Sequence, residues 1–144
     1  MRRHLTVASF LLLLALGANA SKPASRHISA KVISRAVDLM GPSGGYIHDI
    51  PSSPPRDEPG LARNLAKSMI TYRHDRRGKD DPVIVISDDP ALAARVARLA
   101  FSSLPPSSLR GLKVICIVGK QYDGYLSSVG SATGVRLEVE PLPK

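Results

Sequence analysis

Two apolar runs constrain this chain more than any other feature: Pro82-Val83-Ile84-Val85-Ile86-Ser87 and Leu112-Lys113-Val114-Ile115-Cys116-Ile117-Val118. Neither alternates apolar with polar residues, so neither suits a strand with one face in water. A continuous β-branched run of this length suits a strand buried on both faces, as the central strands of a parallel sheet are. Between the runs, Asp88-Asp89-Pro90 offers a carboxylate cap followed by proline at a first helical position. Residues 91–103 then read as a helix, with Leu92, Val96, Leu99, Ala100 and Leu104 inward and Arg95 and Arg98 outward. Pro105-Pro106-Ser107-Ser108 breaks it.

The pattern extends in both directions. Leu61, Leu65, Met69 and Tyr72 recur at helical spacing, which predicts a helix over residues 59–74. Residues 119–124 form a turn, and residues 124–133 a short helix interrupted by Gly130. Val135-Arg136-Leu137-Glu138-Val139-Glu140 alternates apolar and charged residues, as an edge strand does. Nearer the N-terminus, Ile28, Val32, Ile33, Ala36, Val37, Leu39 and Met40 mark one face of a helix that Gly41-Pro42 ends. Residues 41–60 hold five Pro, four Gly and three Ser, a loop by composition, with Tyr46 to Ile50 a candidate short strand inside it.

Strands alternating with helices imply right-handed crossovers and a parallel sheet. The expected fold is α/β: a small three-layer sandwich with a mostly parallel sheet of three or four strands, a Rossmann-like βαβαβ core. An N-terminal helix and a Pro/Gly-rich loop precede it. The expected division is a signal peptide over residues 1–20, the helix and loop over 21–60, and the α/β core over 61–144.

The signal peptide is expected from three parts in order. Met1, Arg2, Arg3 and His4 form a short positive region, residues Leu5 to Leu16 carry no charge, and Ala18-Asn19-Ala20 fits the small-x-small cleavage pattern. The apolar stretch falls short of the roughly 20 residues that span a bilayer. No second stretch of that length follows, so no membrane span is expected after signal removal. The expected location is periplasmic or secreted.

Charge and cysteine content narrow the partners. Removing Arg2 and Arg3 leaves 18 basic residues against 12 acidic, lowering the net charge from +8 to +6. That balance favours an acidic protein or an anionic envelope surface. Nucleic acid is an unlikely partner for an exported chain. The single Cys116 excludes an internal disulfide, and its place in a strand centre makes it a buried, inert thiol. With no Trp and 4% aromatic residues, a sugar-binding or base-stacking platform is not expected.

No motif specifies a reaction. Dinucleotide and phosphate-binding glycine loops are missing, as is a Gly-x-Ser-x-Gly nucleophile elbow. His27, His48 and His74 are scattered without metal-ligand spacing, so neither metal nor cofactor is expected. Two constellations remain. In a parallel sheet, ligands meet the carboxyl ends of the strands, and there Asp88, Asp89, Lys120 and Asp123 are the candidates for a catalytic or phosphate-binding set. Asp89 before Pro90 is equally explained as a cap. The second is the basic segment Arg73, Arg76, Arg77 and Lys79 at a helix end. Cations complement the dipole there, but their number exceeds what the dipole needs and marks a docking patch.

The first expectation for function is therefore a small exported, non-enzymatic binding module, such as an inhibitor, an immunity factor or an envelope-assembly accessory. The alternative is a small hydrolase or phosphate- or metal-ligand enzyme with its site at the strand ends.

Overall fold

The structure, a computed structural model, describes residues 28–53, 57–76 and 80–144. The signal peptide expected over residues 1–20 lies outside them. Eight main elements follow in order: α1 (Ala30–Asp38), β1 (Tyr46–Ile50), α2 (Glu58–Asp75), β2 (Pro82–Ser87), α3 (Pro90–Ser103), β3 (Lys113–Ile117), α4 (Asp123–Gly130) and β4 (Arg136–Glu140). Single 3-10 turns at Lys120–Tyr122 and Ser131–Thr133 bracket α4.

The four strands form one sheet in the order β1-β2-β3-β4, and every neighbouring pair is parallel. This is the α/β sandwich that the two apolar runs imply. The segment Tyr46–Ile50, embedded in the Gly/Pro-rich stretch, is an edge strand, and α1 packs on the same sheet. Among the described residues, no helix is long and apolar enough to cross a membrane.

Helix starts follow local chemistry. Ser29 caps α1 by accepting from the Lys31 amide. Asp57 caps α2 through the Gly60 amide at 2.8 Å, and Asp89 caps α3 through the Leu92 amide at 3.0 Å, ahead of Pro90. Each side chain satisfies a backbone donor that the helix leaves without a partner.

Strand order decides the layering. Right-handed crossovers that always step the same way place every crossover helix on one face. Accordingly α2, α3 and α4 cover the face formed by Val83, Val85, Val114 and Cys116, where Leu65, Met69, Phe101 and Leu126 are fully buried. Among the described residues, the opposite face presents Ile84, Ile86, Ile115 and Ile117 to α1, through Val32 and Ala36.

Two helices bury less of their apolar set than expected. In α3, Leu99 is 42% exposed, and the buried face is made largely by Ala93, Ala94, Val96, Ala97 and Ala100. Most positions of this helix are apolar, so hydrophobicity alone does not decide which of them are buried. In α1, Ile33 and Val37 are 45% and 54% exposed, because one helix on a flat sheet buries only its lower stripe.

Candidate functional site

Two arginines reach one loop where α2 ends, and a third stands in that loop. Arg73 donates from Nε to the Arg110 carbonyl (3.2 Å) and from Nη1 to the Ser108 carbonyl (2.8 Å). One turn later, Arg76 donates from Nη1 to the Gly111 carbonyl at 2.6 Å. Residues i and i+3 share a helix face, so both guanidinium groups reach the same loop between α3 and β3. That loop is held from its other side by Ser107 and Leu109 amides donating to the carbonyls of Ala132 and Thr133, each at 2.9 Å. Gly134 permits this approach. Its φ is +77°, and a Cβ there would lie 3.2 Å from the Arg110 Cα.

Arg110 is exposed in this loop, and its carbonyl is the one that accepts from Arg73. None of the three arginines takes part in the ion pairs among the described residues. Those engage Arg35 with Glu140, Arg63 with Asp57, Arg95 with Glu58, Lys113 with Glu138 and Arg136 with Asp80. Arg73 and Arg76 are thus pinned by neutral carbonyls and keep their net charge. Arg77 and Lys79 lie outside the described residues.

A cleft of about 250 Å³ opens beside this patch, lined by Ser43, Gly44, Gly45, Tyr72, Asp75, Arg76 and Asp81. Asp81 is 2% exposed. Burial raises the Tyr72 hydroxyl above its ordinary pKa, with the Asp81 charge adding to the effect and Arg76 opposing it.

The strand-end candidates are placed differently. The Asp88 carboxylate accepts from the Ser52 hydroxyl (2.7 Å) and amide (3.3 Å), which ties the loop after β1 to the end of β2. Asp89 is occupied by its cap, and buried Ser87 donates its hydroxyl to the Ile50 carbonyl at 2.7 Å. Lys120 and Asp123 are exposed on the turn and helix after β3. A pocket of about 240 Å³ at this end is lined by Asp88, with Ser29, Val32, Ser87, Pro90, Leu142 and Pro143, and by none of the other three candidates. An order of β1-β2-β3-β4 also never reverses. It lacks the switch point at which open parallel sheets form a ligand crevice. No group of three or more His, Cys, Asp or Glu among the described residues is arranged to hold a metal ion.

The remaining reactive groups are quiet. Burial pushes the Cys116 thiol up to about 12, which keeps it protonated and unreactive. His48 is lowered below the ordinary imidazole range by burial, with Asp49 pulling weakly the other way.

Arg110 is the member of the basic cluster that sequence reasoning missed. It stands more than thirty residues from Arg73, and the only local signal is the Pro105-Pro106-Ser107-Ser108 turn that folds the loop back. Comparison of the chain with protein families, curated proteins and solved structures finds no match.

Proposed function

We propose that this chain is a small exported interaction module that docks an acidic protein or an anionic envelope surface through Arg73, Arg76 and Arg110, together with Arg77 and Lys79, which follow Arg76 in the sequence. The observation that carries the reading is the pinning of two guanidinium groups on loop carbonyls rather than on carboxylates. Such cations are ordered before the partner arrives, which lowers the side-chain entropy lost on binding. They also still offer donors in the planar geometry that suits carboxylates and phosphates. The strand-end carboxylates support a reaction less well, because Asp88 and Asp89 are occupied in holding loops and a helix start.

Arg110→Glu is the discriminating variant, since it lowers the charge of the patch by two at an exposed position without removing a loop anchor. Arg76→Glu is less clean, because it also cuts the bond to the Gly111 carbonyl. The tagged mature protein is used to capture partners from its host's exported fraction, and separately to co-sediment with anionic vesicles. Wild type is expected to bind in one arm and to weaken as salt rises, because exposed charges are screened over about 8 Å at physiological ionic strength. Arg110→Glu is expected to bind less in that arm while melting as the wild type does. Equal binding by the variant at low salt overturns the proposal.

A further inference from the structure

The two edges of the sheet are built differently. On β4, Arg136, Glu138 and Glu140 all carry charge, and they are engaged with Asp80, Lys113 and Arg35. Charged edges discourage pairing with another chain. On β1, Tyr46-Ile47-His48-Asp49-Ile50, the one acidic or basic residue besides the neutral-leaning His48 is Asp49. Among the described residues, β1 has a strand partner on one side only.

Aromatic or aliphatic side chains stand on both faces of that edge, among polar ones on the α2 side. On the face shared with α2, Tyr46 is 40% exposed and stacks on Tyr72 at 5.7 Å, beside a groove of about 330 Å³ lined also by Lys67, Ser68, Thr71 and Asp75. On the other face, α1 leans toward β4: Arg35 reaches Glu140, and the Lys31 ammonium reaches the Lys144 carbonyl. At 100° per residue, Ile33 and Val37 therefore lie on the flank nearer β1, where Ile47 is half-buried. A further strand laid along β1 would cover apolar groups above and below.

We propose that β1 is the interface between two copies of this chain, paired edge to edge and antiparallel with Ile47 on the two-fold axis, giving one continuous eight-stranded sheet. The occupant follows from self-complementarity. In a two-fold antiparallel pair, opposite residues share a face and their numbers sum to a constant. Centring on Ile47 sets Ile47 against the partner's Ile47, Tyr46 against the partner's His48, and Asp49 against the partner's Gly45. Centring on His48 sets Asp49 against the partner's Ile47, and centring on Asp49 opposes two carboxylates, which is unfavourable. Of these three registers, the one centred on Ile47 matches apolar with apolar and aromatic with aromatic while separating the acidic groups. This interface borders the cleft at the end of α2, with which its groove shares Tyr72 and Asp75.

Sedimentation velocity of the mature chain tests it, together with cysteine cross-linking. The native Cys116 is fully buried and stays silent under mild oxidation. The wild type is expected to sediment at twice the monomer mass, and Tyr46→Lys and Val37→Lys, both at exposed positions, at the monomer mass. Ile47→Cys is expected to form a covalent dimer, as is a mixture of Tyr46→Cys with His48→Cys should the first variant fold poorly. Asp49→Cys alone is expected not to cross-link. A wild type that stays monomeric at high concentration overturns the proposal. So does a dimer that both lysine variants leave intact, or cross-linking by Asp49→Cys as efficient as by Ile47→Cys.

Discussion

The two faces of the sheet are covered unequally, and the side chains show it. Toward α2, α3 and α4 the central strands present Val83, Val85, Val114 and Cys116; toward α1 they present Ile84, Ile86, Ile115 and Ile117. The smaller residues lie where three helices press in, and α3 answers them with Ala93, Ala97 and Ala100. Among the described residues, the larger side chains lie under a single nine-residue helix that contributes only Val32 and Ala36 to the buried set. Close helix packing calls for short side chains, whereas a thin cover leaves volume that a longer aliphatic chain fills. An apolar run that seems featureless thus carries a period of two, written in size rather than in polarity.

The comparison breaks if the α1 face is not core. Ile115 is fully buried on that face. Ile115→Asp places an unpaired carboxylate there at a cost of several kcal/mol, comparable with the ~5–15 kcal/mol that holds a domain together. The variant is expected to lose its folded far-ultraviolet circular dichroism spectrum. A cooperative melt at the wild-type temperature would mean that water already reaches this face.

A matched pair of truncations measures the inequality itself. Val96 is fully buried on the three-helix side, and Val96→Ala is expected to cost about 1.6 kcal/mol for its two methyl groups plus a cavity term, because the crowded face cannot collapse. Val32→Ala, on the single-helix side, removes two methyl groups at about 0.8 kcal/mol each before any cavity effect. Urea unfolding of both variants gives the difference. Equal losses would show that α1 is packed as firmly as α3, and the two faces would then differ in area alone.

How much of this was legible depended on whether one residue decided the outcome or several did. Val83 to Ile86 and Val114 to Ile117 declare themselves because burial on both faces leaves no place for a polar residue. The cap at Asp89-Pro90 is equally plain, because one carboxylate and one ring fix the helix start. In α3 Leu92, Val96 and Ala100 are inward as the pattern has them, but Leu99 is assigned inward too, although the crowded face takes Ala97 instead. The strand order was not legible, and it removes the crevice that the Asp88, Asp89, Lys120 and Asp123 set required. At the basic end, Arg73 and Arg76 stand out in the sequence, but their carbonyl partners and Arg110 arrive only when the loop after α3 closes on α2. Side chains that act across a tertiary contact leave little trace in local spacing.

The smallest expected effect belongs to His48, and it separates the faces by pH. Along β1, His48 points to the α2 side and Asp49 to the α1 side, in register with Val85 and Ile86 respectively. Burial lowers the His48 pKa in the folded chain, and Asp49 offsets this only in part. The unfolded imidazole, near its ordinary value of about 6.5, therefore binds a proton before the folded one does as pH falls. Stability is complete above that value and declines through the interval down to the folded pKa, because in that interval the unfolded state holds more protons. Melting temperatures followed from neutral to mildly acidic pH are expected to show this decline. They are expected to show less of it in His48→Gln, which cannot charge. If the substitution leaves the profile unchanged, the acid sensitivity comes from other groups, and the α2 side of β1 is wetter than the burial of His48 indicates. If it steepens the profile, Asp49 outweighs burial, and the imidazolium form is the one that the folded chain prefers.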